Sequence, residues 1–226
     1  KLIGENVLSL QEVDILKRNY KKFLEDELSL SKDYKSNKAD WLEGSWKGIN
    51  VASIDARRGQ TSITEDEFKK IGKEIHQMPK DFSPHKRIKK IYGDRLNSIN
   101  EGKGVDWSTA ESLAFASLLA EGYGVRLSGQ DSGRGTFSQR HSVLYDQINE
   151  DRFVPLRHFR NEQGLFEIID SFLSEYGVLG FEYGYSQVDP QTLVLWEGQF
   201  GDFANNAQTI IDQFITTGER KWLRMS

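Results

Sequence analysis

The 226 residues include no cysteine, only four prolines and no long apolar run. Without a thiol there is no disulfide, no thiolate metal site and no cysteine nucleophile, a composition that suits a reducing compartment. No stretch approaches the roughly 18 apolar residues a membrane-spanning helix needs. Neither sign of charge dominates: 30 Lys and Arg stand against 34 Asp and Glu, for a formal net charge of −4. That balance argues against a dedicated nucleic-acid or membrane-surface protein. The four histidines, His76, His85, His141 and His158, sit at no ligand spacing, so metal binding has no support here. A serine hydrolase lacks its GxSxG elbow. Lys1–Gly4 carries no targeting pattern, and acidic residues begin at Glu5. The expectation is an intracellular soluble chain, either one large domain or one domain with an appendage.

What is present changes along the length. Up to about residue 104 the chain reads as charged helices on loops. Ser9 followed by Glu12 makes a capping-box signal, and Val13, Leu16, Tyr20, Phe23, Leu24 and Leu28 follow at helical spacing. Thr64 and Glu67 repeat the signal ahead of Phe68, Ile71 and Ile75, with Pro79 as the stop. Ser83-Pro84 predicts a third helix start, running through Ile88, Ile91 and Tyr92. The stretch from Tyr34 to Thr61, with Trp41 and Trp46, reads as irregular, and no strand is predicted before residue 120.

From about residue 105 the texture becomes α/β. Ser108 and Glu111 predict a helix start, and Leu113, Phe115, Leu118 and Leu119 a buried helix. Val125 and Leu127 alternate as a short strand, and the continuous run Leu193–Trp196 predicts a strand buried on both faces of a parallel sheet. Ala207, Ile210, Ile211 and Phe214 make a helix stripe ending at Gly218. This rhythm is that of a layered, mostly parallel sheet flanked by helices. The chain stops at Ser226, where a further strand is expected, so the sheet reads as incomplete and its open edge as prone to self-association.

Few residues announce chemistry by themselves. The glycine-rich loop Gly129–Gly135 could cradle a phosphate, but it matches neither GxGxxG nor the Walker pattern and reads better as a tight turn. The basic run Lys86-Arg87 and Lys89-Lys90 reads as the solvated face of an amphipathic helix. Phe181, Tyr183, Tyr185, Trp196, Phe200 and Phe203 form an aromatic-rich region, mostly core, in which some rings could face a planar cofactor. Glu175 and Glu182 lie in strongly apolar surroundings, where a carboxylate must be exposed, paired or functional. Periodicity leaves open whether a helix or a strand carries them.

The strings Val125–Phe137 with Arg140-His141, Leu173–Tyr185 and Leu193–Phe203 together resemble the decarboxylating first component of the 2-oxoglutarate dehydrogenase complex. Asn37–Leu42 and Lys90–Arg95 look like family segments as well, and the likeness is specific over 105–226 and patchier before. The family usually has alanine where Gly198 stands. The resemblance implies a thiamine-diphosphate enzyme whose pyrimidine-binding domain, of transketolase type, occupies 105–226 and is truncated at its C-terminus, behind a helical linker segment over 1–104. It implies that Glu175 opens a helix and is the catalytic acid on the pyrimidine ring nitrogen. Phe203 would stack on that ring, with Gln130 and Gln199 as polar cofactor neighbours. Arg134, Arg140 and His141 would face the substrate channel, while Glu182 would be a paired structural carboxylate.

The same resemblance implies oxidative decarboxylation of 2-oxoglutarate with succinyl transfer to a lipoyl group. It further implies a homodimer with a second copy of the subunit, and a dihydrolipoyl succinyltransferase partner. The compartment would be the bacterial cytoplasm or the mitochondrial matrix. The family's GDG diphosphate motif is absent: Gly93-Asp94-Arg95 and Gly201-Asp202-Phe203 lack its third glycine. The magnesium ion is therefore expected on a domain outside this chain, and the chain alone is expected to be an inert fragment. Two alternatives stand beside this reading: a sister enzyme for another 2-oxo acid, such as 2-oxoadipate, and a non-catalytic interaction module from a decayed gene.

Overall fold

The computed structural model describes residues 1–35, 43–50 and 59–223. The family-like segment Asn37–Leu42, with Trp41, lies outside the described residues, as does the end at Met225-Ser226. Two compact units emerge, Lys1–Lys47 and Gly48–Ser226. In the first, helix α1 (Leu10–Ser31) starts as its sequence demands. The Glu12 N–H donates to Ser9 Oγ at 3.2 Å, and the Ser9 N–H donates to Glu12 Oε2 at 2.8 Å. Its stripe of Leu16, Tyr20, Phe23, Leu24 and Leu28 is exposed, whereas Trp46 on a short 3-10 turn is buried.

The second unit holds α2 (Glu65–Ile75), α3 (Lys86–Glu101), α4 (Trp107–Ala120), β1 (Gly124–Gly129), β2 (Leu144–Tyr145), β3 (Arg152–Phe153), β4 (Phe166–Asp170), α5 (Glu175–Val188), β5 (Thr192–Glu197), α6 (Ala204–Ile210) and α7 (Gly218–Trp222). Thr64 caps α2 through the Glu67 N–H, as its spacing predicts. Two starts differ from expectation. Helix α3 begins after His85 rather than at Pro84, because the Ser83 N–H is held by Asp146 Oδ2 at 2.6 Å and Pro84 bridges to Asp146. Asp106, not Ser108, caps α4 by accepting the Thr109 N–H at 2.7 Å, since the Ser108 hydroxyl is spent on the Gln139 carbonyl.

β4, β1 and β5 form a three-stranded parallel sheet with β1 in the centre, and β2 and β3 form a separate antiparallel pair. Alternation along β1 sorts its side chains. Val125 and Leu127 join Phe166 and Ile168 of β4 in a core with Ile71, Ile75, Ile99, Leu113, Phe115 and Leu119 of α2, α3 and α4. Arg126 and Ser128 point to the other face, where α5 packs over β1 and β5. The core therefore takes in helices on both sides of residue 104, while the expected division there follows the change in sequence texture.

Two expectations are corrected. β5 is parallel as predicted, but it is an edge strand, with most of its residues half-buried rather than covered on both faces. The stripe from Ala207 to Phe214 is not one α-helix: α6 gives way to a π-helical turn at Ile211–Ile215, and Gly218 opens α7 instead of ending the stripe. A Cβ at Gly218 would lie 2.7 Å from the Tyr183 hydroxyl, so any other residue there has to displace that side chain.

Candidate active site

In a parallel sheet the strands end together, and the loops that leave those ends converge. Here Gly129 ends β1 in register with Asp170 of β4 and Glu197 of β5. A Cβ on Gly129 would strike the Glu197 carbonyl, so glycine lets β1 and β5 close at this edge. The loop after β1 carries Gln130, the loop after β4 leads through Ser174 into α5 at Glu175, and the loop after β5 leads through Phe203 into α6.

Glu175 opens α5, the helix its periodicity had left open, and Ser174 caps that helix through the Gly177 N–H. One carboxylate oxygen of Glu175 accepts the Gln130 amide N–H at 2.8 Å, and the other accepts the Asn206 amide N–H, also at 2.8 Å. The Asn206 amide first, then the Glu175 backbone N–H, hold the carboxyl below the usual glutamate range against the opposing effect of burial, and the Gln130 amide adds to them. The loop that leads to Asn206 carries an aromatic string. The Phe203 ring sits 6.1 Å from Phe200, and Phe200 meets Phe137 edge-on at 5.9 Å, with all three rings partly open to solvent. Gln199 is half-buried in the same loop.

Residues 103–226 match the family described as transketolase, pyrimidine binding domain. This chain belongs to that family. The 2-oxoglutarate dehydrogenase E1 components of Brucella anthropi and Brucella canis are each 52% identical to it over 228 aligned residues, and that of Brucella melitensis is 51% identical. All of the chain is covered in these alignments but only 23% of each relative, so it spans about a quarter of their length.

The pyrimidine-binding domain separates its two suspicious glutamates by environment. Glu182, about two turns beyond Glu175 on α5, is buried and paired. Arg126 donates to its two oxygens at 2.7 and 3.0 Å and to Glu167 of β4 at 3.0 Å. The guanidinium also lies 4.7 Å from the Tyr185 ring centre and 5.3 Å from that of Phe181, and its hydrogen bonding to Glu182 leads in raising the Arg126 pKa. Glu182 is thus the structural carboxylate of the pair.

The three residues expected to face substrate separate in the same way. Arg134 is exposed and ion-paired with Asp131 on its own loop. Arg140, 3% exposed, is enclosed by ion pairs: it donates to Glu111 of α4 at 2.6 and 3.1 Å, to Glu197 at 2.6 and 2.7 Å and to the Ser132 carbonyl at 3.0 Å. Burial alone would lower its pKa, but Glu197 and Glu111 raise it above the ordinary arginine range. His141 is also buried, with Nε2 2.8 Å from the Ser138 carbonyl and its own carbonyl accepting the Tyr92 hydroxyl. Desolvation leads in holding its pKa down.

The glycine-rich loop is a turn. Gly133 N–H goes to Asp170 Oδ1 at 2.9 Å, Gly135 N–H goes to the Asp131 carbonyl at 2.8 Å, and Gly135 has φ of 83°. The Gly133 and Gly135 amides are thus spent, and the Asp131 and Asp170 carboxylates beside them disfavour an anion. Gly93–Arg95 lies inside α3, and Gly201–Phe203 forms a 3-10 turn. A groove of about 510 Å³ runs along β5, lined by Tyr183, Leu193, Trp196 and Ile215 but by neither Gln130, Glu175 nor Phe203. Its one carboxylate, Glu182, is committed to Arg126. Among the described residues no group of three or more His, Asp or Glu could hold a metal ion, and no helix is long and apolar enough to cross a membrane.

The partners that Glu111, Arg126, Glu197 and Asn206 find escaped the sequence reading. The two glutamates and Arg126 could have been sought as charges inside apolar runs, the signal that singled out Glu182. Asn206 carries no such signal, being an ordinary polar residue on an exposed helix.

Proposed function

We propose that this chain is the pyrimidine-holding part of a thiamine-diphosphate enzyme that oxidatively decarboxylates 2-oxoglutarate and transfers the succinyl group to a lipoyl group. The observation that carries the reading is Glu175: a carboxylate at the carboxyl edge of a parallel sheet, held by two amides, with open aromatic rings on the loop that leads to one of them. That donor set fits an aminopyrimidine. An ionised carboxylate can accept a hydrogen bond from a protonated ring nitrogen, and a partly open Phe203 offers a face for stacking. Bound there, the cofactor supplies the carbanion and the electron sink for decarboxylation.

The chain's own part is narrower. Glu175 holds the ring nitrogen and controls its proton, Phe203 fixes the plane of the ring, and Gln130 and Gln199 border it. Of the substrate candidates only Arg134 projects into solvent, and it keeps that role. Arg140 and His141 become braces of the loop that carries Gln130. The diphosphate and its magnesium ion belong to another part of the parent protein, and a second copy of the subunit completes the cofactor site. A dihydrolipoyl succinyltransferase component takes the product, in the bacterial cytoplasm or the mitochondrial matrix.

The test is Glu175→Gln in the parent protein. Loss of a positioned acid–base group should lower 2-oxoglutarate decarboxylation by about 100-fold or more while the circular dichroism spectrum stays unchanged. Wild-type turnover in that variant would refute the assignment. Turnover compared between 2-oxoglutarate and 2-oxoadipate then separates this reading from its sister enzyme.

A further inference from the structure

Asn206 has no part in the reading above until its geometry is considered. It stands on α6, three residues beyond Phe203, exposed to solvent and far in sequence from Glu175. Its amide nevertheless donates to Glu175 Oε2 at 2.8 Å, while Gln130, from the opposite side, donates to Oε1 at the same distance. Each oxygen of a carboxylate has two lone pairs. One amide on each oxygen fixes the plane of the group, and with the residue's own backbone N–H as a third donor a lone pair is still left for a ligand.

We infer that Asn206 is a positioning residue: with Gln130 it clamps the Glu175 carboxylate in its ionised form, so that the group meets a ligand as a hydrogen-bond acceptor aimed outward from the sheet edge. The inference rests on the proposed function only for the identity of the ligand, a protonated ring nitrogen. The clamp itself is a property of the chain.

The neighbouring charges are accounted for. On α5 the next acid, Glu182, is paired with Arg126. On the β1 loop Asp131 and Arg134 pair with each other. Asp202 lies on the 3-10 turn before α6, and no ion pair to Glu175 exists among the described residues. The lowered proton affinity of Glu175 has the Asn206 amide as its largest cause. Hydrogen bonds to the charged form are one of three ways a pKa moves, and here burial works the other way. Asn206 is therefore separable from a mere tether between α5 and α6, which would affect stability but not titration.

The experiment is a carbon-detected NMR titration of the 226-residue chain with no cofactor added, the Glu175 carboxyl resonance being assigned by its absence in Glu175→Gln. Wild type should titrate below free glutamate. Asn206→Ala should shift the midpoint upward, Gln130→Ala should do the same, and Asn206→Asp should shift it further by setting a second carboxylate against the first. Asn206 is exposed and alanine favours a helix, so the variant keeps its fold. An unmoved midpoint in both Asn206 variants, or a wild-type midpoint at the ordinary glutamate value, overturns the inference. A separate calorimetric titration of the parent protein with thiamine diphosphate and magnesium keeps the two claims apart. Failure to bind sinks the proposed function, whereas the clamp stands or falls on the carboxyl resonance alone.

Discussion

Arg126 makes the sharpest demand on the structure. It projects from the central strand into the layer between sheet and α5, its side chain 10% exposed, and binds Glu182, 4% exposed, through two hydrogen bonds. Arg126→Met keeps the apolar stem but removes the guanidinium. Glu182 is then left ionised in a water-poor layer, and breaking a buried pair in this way costs about 3–5 kcal/mol. Loss of the contacts with Phe181 and Tyr185 falls within that figure, at roughly 0.5–2 kcal/mol. Glu167 is 28% exposed and can turn to water, so it adds little.

In urea, with a slope of about 2–3 kcal/mol/M, the unfolding midpoint should fall by about 1–2.5 M. Glu182→Leu strands the arginine in the same way. The double variant Arg126→Met/Glu182→Leu replaces a buried ion pair by apolar groups, an exchange that is often neutral or favourable. It should be more stable than the sum of the singles predicts, by at least about 1 kcal/mol. Additivity to within about 0.5 kcal/mol would mean that the two side chains do not depend on each other, and the account of α5 docking would be wrong.

Two further outcomes follow from buried groups elsewhere. His76, 8% exposed, has its pKa pushed down to about 4, first by burial, and its Nδ1 lies 2.7 Å from the Gly72 carbonyl. The unfolded chain therefore binds the proton first as pH falls through about 6.5, and stability drops by about 2 kcal/mol between pH 7 and pH 5; urea melts of His76→Gln over that range should lack this share of the loss, and an identical pH slope would refute it. Arg140→Lys keeps the charge but cannot fork onto both Glu111 and Glu197, so it should cost about 2–4 kcal/mol in thermal or urea unfolding. If instead the parent enzyme showed unchanged stability and a raised KM for 2-oxoglutarate, the bracing role would be wrong and the substrate role right.

What could be read from sequence was local. Ser9 and Thr64 announce helix starts because the bonds they make close within three residues, whereas Asp106 and Ser108 competed for one cap and a carbonyl from the distant loop at Gln139 decided between them. β4 went unseen. It is five residues long, and Glu167 at its second position reads as polar surface until Arg126 is placed beside it. β5 looked doubly buried because its run is apolar, yet its burial depends on neighbours that an apolar run does not specify. The stripe from Ala207 to Phe214 has helical spacing, and nothing in that spacing distinguishes an α-helix from one that loosens into a π-turn at Ile211.

The site divides along the same line. Family likeness marked Glu175, Gln130 and Phe203, which sit in long distinctive strings, but Asn206 acquires meaning only when three loops meet at one sheet edge. Two glutamates on one helix, about two turns apart, show why a buried-acid rule cannot choose between them. Apolar neighbours in sequence made both suspect, and the fold then gave one an arginine and the other only amides. An arginine neutralises its partner and fixes a helix. Amides restrain a carboxylate without cancelling its charge, and only the second arrangement leaves a group able to hold a proton for chemistry. It is the pairing across space, set by the crossover of α5 over β1, that separates the ion-paired acid from the amide-held one here.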